Sequence, residues 1–305
     1  MKYAYYVADV FTKTIFNGAQ IAVFPHAEGL SDTQMQLIAR ELNLSETVFV
    51  FETENTDRRI MRIFNPLSEL DSAGHPVIAS AFVLGISGAL PLSNTITSLV
   101  FEQNAGDVKV NVSARNGKPV FVQFTRKTKA IIDRFSPSDE ELATMLSLPI
   151  SALDHKKYAP RLVCCGLPYL VVPVWQYESV RNARFNYTAW AASSAPQTAA
   201  QEVLLFSPKT PYSDADFNVR LLGSRIGLYE DPPVGNAMPA FAHYLCSFDF
   251  MQKGTYTFSV DRGDIKSRRS VLQLEMDHKS EDNLTIRVGG EAVLVAEGMM
   301  TVPEE

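Results

Sequence analysis

Cysteine is scarce: the 305 residues contain three, Cys164, Cys165 and Cys246. So sparse and odd a count excludes a disulfide framework, and disulfide geometry seldom lets neighbours such as Cys164 and Cys165 bridge each other. Basic charge is also short, with 28 Lys and Arg against 34 Asp and Glu and a formal net charge of −6. A chain of that sign repels a phosphate backbone. Its nearest approach to a basic patch, Lys266, Arg268 and Arg269, is too small to line a groove, so no nucleic-acid partner is expected. No apolar run reaches the ~18 residues of a membrane span, and the opening Met1-Lys2-Tyr3-Ala4-Tyr5-Tyr6-Val7 lacks the apolar stretch of a signal peptide. The expectation is a cytoplasmic protein without membrane contact. The usual cofactor and metal motifs are missing as well. There is no Gly-x-Gly-x-x-Gly after a strand, no Walker loop, no His-Glu-x-x-His, no Cys-x-x-Cys and no Gly-x-Ser-x-Gly elbow. What remains is proton chemistry on a small molecule with no cofactor and no metal, or binding without chemistry.

Hydrophobic residues make up 46% of the chain and charged residues 20%, enough for a core of ordinary size and one large or two smaller domains. Residues 3–11 read as a strand, followed by a turn at Asn17-Gly18 and a short strand at 21–24. Ser31 and Gln34 fit a capping box, and Met35, Ile38, Ala39 and Leu42 recur at helical spacing, so a helix begins at Ser31 and stops near Asn43. Strands are expected at 47–51 and 59–64. The chain then pivots at Ala73-Gly74-His75-Pro76 into a nearly all-apolar helix, which predicts burial on every side. Further strands follow at 98–101, 108–112 and 120–124. In the second half, Ser136 is the expected cap and Pro137 the first position of a helix reaching Leu146. A strand pair broken at Gly166-Leu167-Pro168 and strands at 202–206 and 216–222 lead to a second pivot, Val234-Gly235-Asn236-Ala237, before another apolar helix. Four more strands are expected, at 256–260, 270–276, 285–288 and 292–295.

The two pivots lie about half a chain apart, each after an acidic, turn-rich approach: Glu69 to Asp71 in one, Glu230 to Pro233 in the other. This repetition predicts an α+β protein of two similar lobes, each a strongly curved, β-barrel-like sheet around a central helix. A helix start offers unpaired N–H groups and the positive end of the helix dipole, and glycine lets a ligand approach the backbone closely. Gly74 and Gly235 thus form an anion receptor if both face one cleft, or serve only as tight turns before core helices. Glu46 sits at a helix-to-strand corner among apolar residues, where desolvation suits a carboxyl to accept and return a proton. It reads equally as an exposed loop glutamate. Asp231, stiffened by Pro232 and Pro233, is a second acid/base, a substrate ligand or a turn aspartate. His75 opens a helix, where the dipole favours a neutral ring; its position, more than its residue type, singles it out.

These segments resemble the phenazine-biosynthesis isomerase-like (PhzF-like) family, which has the diaminopimelate epimerase fold. The similarity runs nearly end to end: Asp9-Val10-Phe11-Thr12 with Phe16 and Gly18, Ala39-Arg40-Glu41-Leu42-Asn43-Leu44-Ser45-Glu46-Thr47, and Phe64-Asn65-Pro66 with Glu69 and Ala73-Gly74-His75-Pro76. It continues through Arg220, Glu230-Asp231-Pro232, Gly235-Asn236-Ala237, Arg268-Arg269-Ser270 and Val288-Gly289-Gly290-Glu291. The resemblance implies residues 1–127 as a first lobe, with 285–305 returning to it, and 128–284 as a second. It implies an isomerase that shifts a proton on a small cyclic or amino carboxylate, as in antibiotic biosynthesis, and a homodimer. Glu46, His75 and Asp231 become the catalytic set, with Ser45, Gly74, Pro76, Arg220, Gly235, Asn236 and Ala237 around the substrate. Gly18-Ala19-Gln20, Val234-Gly235-Asn236 and Leu221-Leu222-Gly223-Ser224 depart from the family's usual residues on the substrate side. A small-molecule-binding protein of the same fold with reduced or lost catalysis is the alternative. The epimerase branch of this fold places two cysteines immediately before the helix-start glycines; Ala73 and Val234 stand there, which disfavours a two-thiol racemase.

Overall fold

The computed structural model describes residues 1–71, 74–198, 200, 202–223, 233–264, 266, 268–280 and 283–303. It is a mixed α+β structure dominated by strands, divided into two compact units. The first unit comprises Met1–Arg126, Arg268–Ser270 and Arg287–Glu305; the second comprises Lys127–Ser267 and Val271–Ile286.

The first unit opens with β1 (Lys2–Val10), β2 (Ala19–Phe24), α1 (Asp32–Leu42), β3 (Glu46–Glu52) and β4 (Arg58–Phe64). After β5 (Glu69–Leu70) come α2 (His75–Ser87), β6 (Ile96–Gln103), β7 (Gly106–Arg115) and β8 (Lys118–Thr128). β2 and β3 run parallel, with Ile21 opposite Glu46, so α1 is the crossover between them. Ser31 caps α1 in the expected box: its side chain accepts from Gln34 N–H while the Gln34 side chain accepts from Ser31 N–H. Asn43 ends the helix in the left-handed region at φ 49°, which asparagine tolerates.

Alternation along these strands sorts two faces. Phe24, Phe49 and Phe64 pack with Met35, Ile38 and Ala39 beneath α1, while α2 lies against β1, β2, β3, β7 and the later strand β17 (Ala292–Thr301). Every α2 residue from His75 to Leu84 is buried, as its all-apolar sequence requires. Each of its larger side chains, such as Ile78, Val83 and Leu84, contributes about 1.5–3 kcal/mol on leaving water.

The second unit holds β9 (Ile131–Asp133), α3 (Asp139–Leu146), β10 (Arg161–Cys164), β11 (Pro168–Pro173), α4 (Tyr177–Asn182) and α5 (Tyr187–Ala192). β12 (Glu202–Ser207), β13 (Phe217–Leu222), α6 (Met238–Cys246), β14 (Gly254–Arg262) and β15 (Ser270–Ser280) follow. The chain ends with β16 (Asn283–Gly290) and β17 (Ala292–Thr301), and β17 pairs antiparallel along the whole of β1. Leu142, Met145 and Leu146 of α3 pack with Leu170, Val172, Val203, Leu205 and Trp190 in one core. α6 is buried from Met238 to Leu245, where Phe241 and Tyr244 join Phe206 and Phe217 in edge-to-face and stacked ring contacts.

The cap of α3 corrects the sequence expectation. It is Ser138, not Ser136, and Pro137 precedes the helix. The reason is the glutamate three positions on: Glu141 Oε2 accepts from Ser138 N–H at 2.8 Å while Ser138 Oγ accepts from Glu141 N–H at 3.3 Å. Glu141 also takes Ser194 N–H and Oγ–H, so one carboxylate ties α3 to the segment after α5. These N–H groups hold its pKa below the ordinary value. Ser138→Ala is expected to cost about 1 kcal/mol in urea unfolding, and an unchanged midpoint would show that the box is ornamental.

Candidate active site

Glu46 is the first residue of β3, three residues beyond the left-handed Asn43 that stops α1. Parallel pairing with β2 fixes its height, and Ser45 Oγ–H donates to the Gln20 carbonyl at 2.9 Å, tying the corner to the start of β2. Glu46 shares its strand face with Val48 and Val50, opposite to Phe49 beneath α1. His75 is the first residue of α2, after Gly74 at φ −86° and before Pro76, whose missing N–H costs nothing in the first turn. At that φ the Gly74 backbone is in the ordinary right-handed region, open to any residue.

Glu46 Oε2 and His75 Nε2 lie 2.6 Å apart, with side-chain exposures of 11% and 3%. The distance is that of a strong contact, yet the two atoms lack the alignment of a full hydrogen bond, and His75 Nδ1 has no partner among the described residues. A carboxylate and an imidazole in near contact, mostly out of water, can pass a proton between them and to a third group. Ser45, Glu46, Gly74, His75 and Pro76 are thus brought together in the first unit.

The other candidates lie in the second unit. Gly235 does not begin the helix itself: it opens a 3-10 turn, Gly235–Ala237, and α6 starts at Met238 with Ala237 as its cap. The apolar helix after the pivot thus begins at Met238, with Pro239 in its first turn, where a missing N–H is tolerated. Gly235 and Ala237 are buried and Asn236 is exposed. Arg220 is 4% exposed, and its Nη1 donates to the carbonyls of Val180, Arg181 and Ala183 at 3.3, 3.0 and 3.0 Å, closing the end of α4. Asp231, with Glu230 and Pro232, lies outside the described residues.

A second arrangement in the first unit escaped sequence reasoning. Asp9 is fully buried at the end of β1; its Oδ1 meets Arg268 Nη2 at 2.5 Å and its Oδ2 accepts Phe16 N–H at 2.7 Å. Arg268 also donates from Nε to Gly18 O at 3.1 Å and from Nη2 to Asn17 O at 3.2 Å, and Gly18 N–H donates to Arg269 O. Burial raises the Asp9 pKa, opposed by Arg268 and the Phe16 N–H. Gly18 is obligatory here: at φ 69°, a Cβ would stand 2.2 Å from Val10 O. Phe11, Phe16 and Arg268 all sit in the left-handed region, at φ 62°, 68° and 57°, each at a cost of roughly 1–2 kcal/mol. No local signal links Asp9 to Arg268, because 259 residues separate them.

Cys164, Cys165 and Cys246 are free thiols, and burial pushes Cys246 up to about 11. Among the described residues, no three His, Cys, Asp or Glu side chains converge as metal ligands. Likewise, no helix there is long and apolar enough to cross a membrane.

The profile of the PhzC-PhzF family, the phenazine biosynthesis-like proteins, matches residues 8–298. The chain belongs to this family. An uncharacterized isomerase of Mesorhizobium japonicum is 30% identical to this PhzF-family protein over 305 residues, covering 98% of each chain. The trans-2,3-dihydro-3-hydroxyanthranilate isomerase of Pseudomonas chlororaphis is 35% identical over 169 residues, 54% of this chain and 57% of that one. The crystal structure of a PhzF-family phenazine biosynthesis protein from Bacillus anthracis shares the fold, with a TM-score of 0.87 over 99% of both chains at 23% identity. This PhzF-family protein is an isomerase.

Proposed function

We propose that this PhzF-family isomerase moves a proton between two carbons of a small cyclic or amino carboxylate, without cofactor or metal. The observation that supports this most is the buried Glu46–His75 pair. Glu46 takes a proton from an acidic C–H, the electron pair of that bond shifts into the adjacent unsaturated system, and the same carboxyl returns a proton at the far carbon. His75 orients the carboxyl and steadies its charge. Gly74 and Pro76 shape the start of α2 for the substrate carboxylate, and Ser45 holds the corner through Gln20. Asp231, Gly235, Asn236, Ala237 and Arg220 are assigned to the substrate by family resemblance, and Arg220 also braces α4. The same resemblance supports two similar lobes of strongly curved sheet around a helix and a homodimer; residence in the cytoplasm is proposed from the sequence's want of a signal-peptide run.

The test is turnover in D2O with a dihydro-hydroxyanthranilate, the substrate type named for the Pseudomonas relative. At least partial deuterium is expected at the newly protonated carbon. Tight binding with no isomerised product and no label in recovered substrate would instead mark a binding protein of the same fold.

A further inference from the structure

The loop joining β1 to β2 ends in an exposed apolar tip: Phe16 is 69% exposed and Ile15 44%. Phe16 is also held at φ 68°, a conformation that glycine or asparagine adopts far more easily. Phe11, at φ 62°, provides the contrast. Its ring is 2% exposed and lies so close to Gly290 that a Cβ there would meet it at 2.4 Å, so packing accounts for its conformation. Packing gives no such account of Phe16. Its backbone is fixed instead by the buried Asp9 carboxylate, which accepts its N–H, and by Arg268, which binds Asp9, Asn17 and Gly18. An aromatic ring is thus held out from the protein on a strained but firmly determined backbone, a combination that accumulates at ligand sites.

Its place in the fold says which ligand. Val10 pairs with Ala19, closing the loop at the end of the sheet where Ser45 bonds Gln20 and Glu46 stands opposite Ile21. The tip therefore rises from the same sheet end as the Glu46–His75 pair. We propose that Phe16, with Ile15 beside it, is a specificity-determining contact that packs on the ring face of a cyclic carboxylate held at Glu46 and His75. The Asp9–Arg268 pair sets its height. This rests on the proton-shift reading above and names the ring as the part of the substrate recognised in the first unit. Face or edge contact between an aromatic side chain and an unsaturated ring adds about ten-fold in affinity.

Calorimetric titration of the full chain with 3-hydroxyanthranilate tests it, using Phe16→Gly, Phe16→Asn and Phe16→Tyr. Glycine and asparagine suit φ 68°, so both variants are expected to keep or raise Tm while weakening the ring ligand about ten-fold. Tyrosine keeps the ring and is expected to match wild type. Wild-type affinity in the glycine and asparagine variants overturns the role of Phe16 alone, as does a lowered Tm in both, which would make the residue structural. Absence of any binding to the wild-type protein overturns the underlying cyclic-carboxylate reading instead.

Discussion

Glu46→Gln is expected to lower turnover by about 10²–10⁴-fold while leaving substrate affinity within a few-fold. The amide matches the carboxylate in size, so the β3 corner, the Ser45–Gln20 bond and the contact near His75 all persist. What disappears is the ability to take a proton from carbon. Because the side chain is only 11% exposed, bulk water is a poor substitute base at that position. Initial rates, paired with exchange of the substrate C–H in D2O, separate the two properties: exchange should vanish with turnover. A variant that retained both would remove Glu46 from the mechanism and shift attention to Asp231. Glu46→Asp, which keeps the carboxylate but withdraws it from His75, should give a smaller loss.

Arg268→Ala is expected to destabilise the fold strongly although it lies outside the apolar cores. It leaves the fully buried Asp9 carboxylate with only the Phe16 N–H, a loss of about 3 kcal/mol, at the low end for a broken buried pair because Arg268 is one-third exposed. The deficit should depend on pH in a definite sense. Asp9 in the folded protein already has its pKa above the ordinary 3.8, and removing the cation raises it further. A carboxyl raised in the folded state binds protons that the unfolded chain does not, so its stabilising term is full below 3.8 and is lost as pH rises through the folded value. Urea midpoints of variant and wild type should therefore lie closer at pH ~4.5 than at pH ~7. A gap that widened on acidification would show that Asp9 is not the group left unpaired. Arg268→Lys should recover only part of the loss, since one ammonium cannot reproduce the fork that spans Asp9, Asn17 and Gly18.

Features written in neighbouring residues were legible in the sequence. Ser31 and Gln34 announced α1, and the apolar run after Gly74 announced a helix buried on every side. The cap of α3 was legible in principle: of the two serines flanking Pro137, only Ser138 has a glutamate three positions on, and the pairing with Glu141 decides the matter. α4 and α5 were missed because six residues are too few to show helical periodicity, and tertiary contacts define them, including the Arg220 bonds at the end of α4. Glu46 was legible as a corner carboxylate, but only the family resemblance favoured the acid/base reading over an exposed loop glutamate, since nothing beside it in the sequence predicts the approach of His75 from α2. The Asp9–Arg268 staple was invisible for the same reason at greater range.

The pairing of β1 with β17 has a consequence for biosynthesis. α2 presents apolar side chains on every face, and two of the strands against it lie at opposite ends of the sequence. During translation β1, β2 and β3 emerge early with α2, but the strand that covers the remaining flank is made after the whole second unit. The first half of the nascent chain must therefore wait with a greasy helix incompletely sheathed, while the second unit already has most of its own sequence to fold with. Ribosome-bound intermediates truncated before β17 should thus be the form of this protein that most engages chaperones.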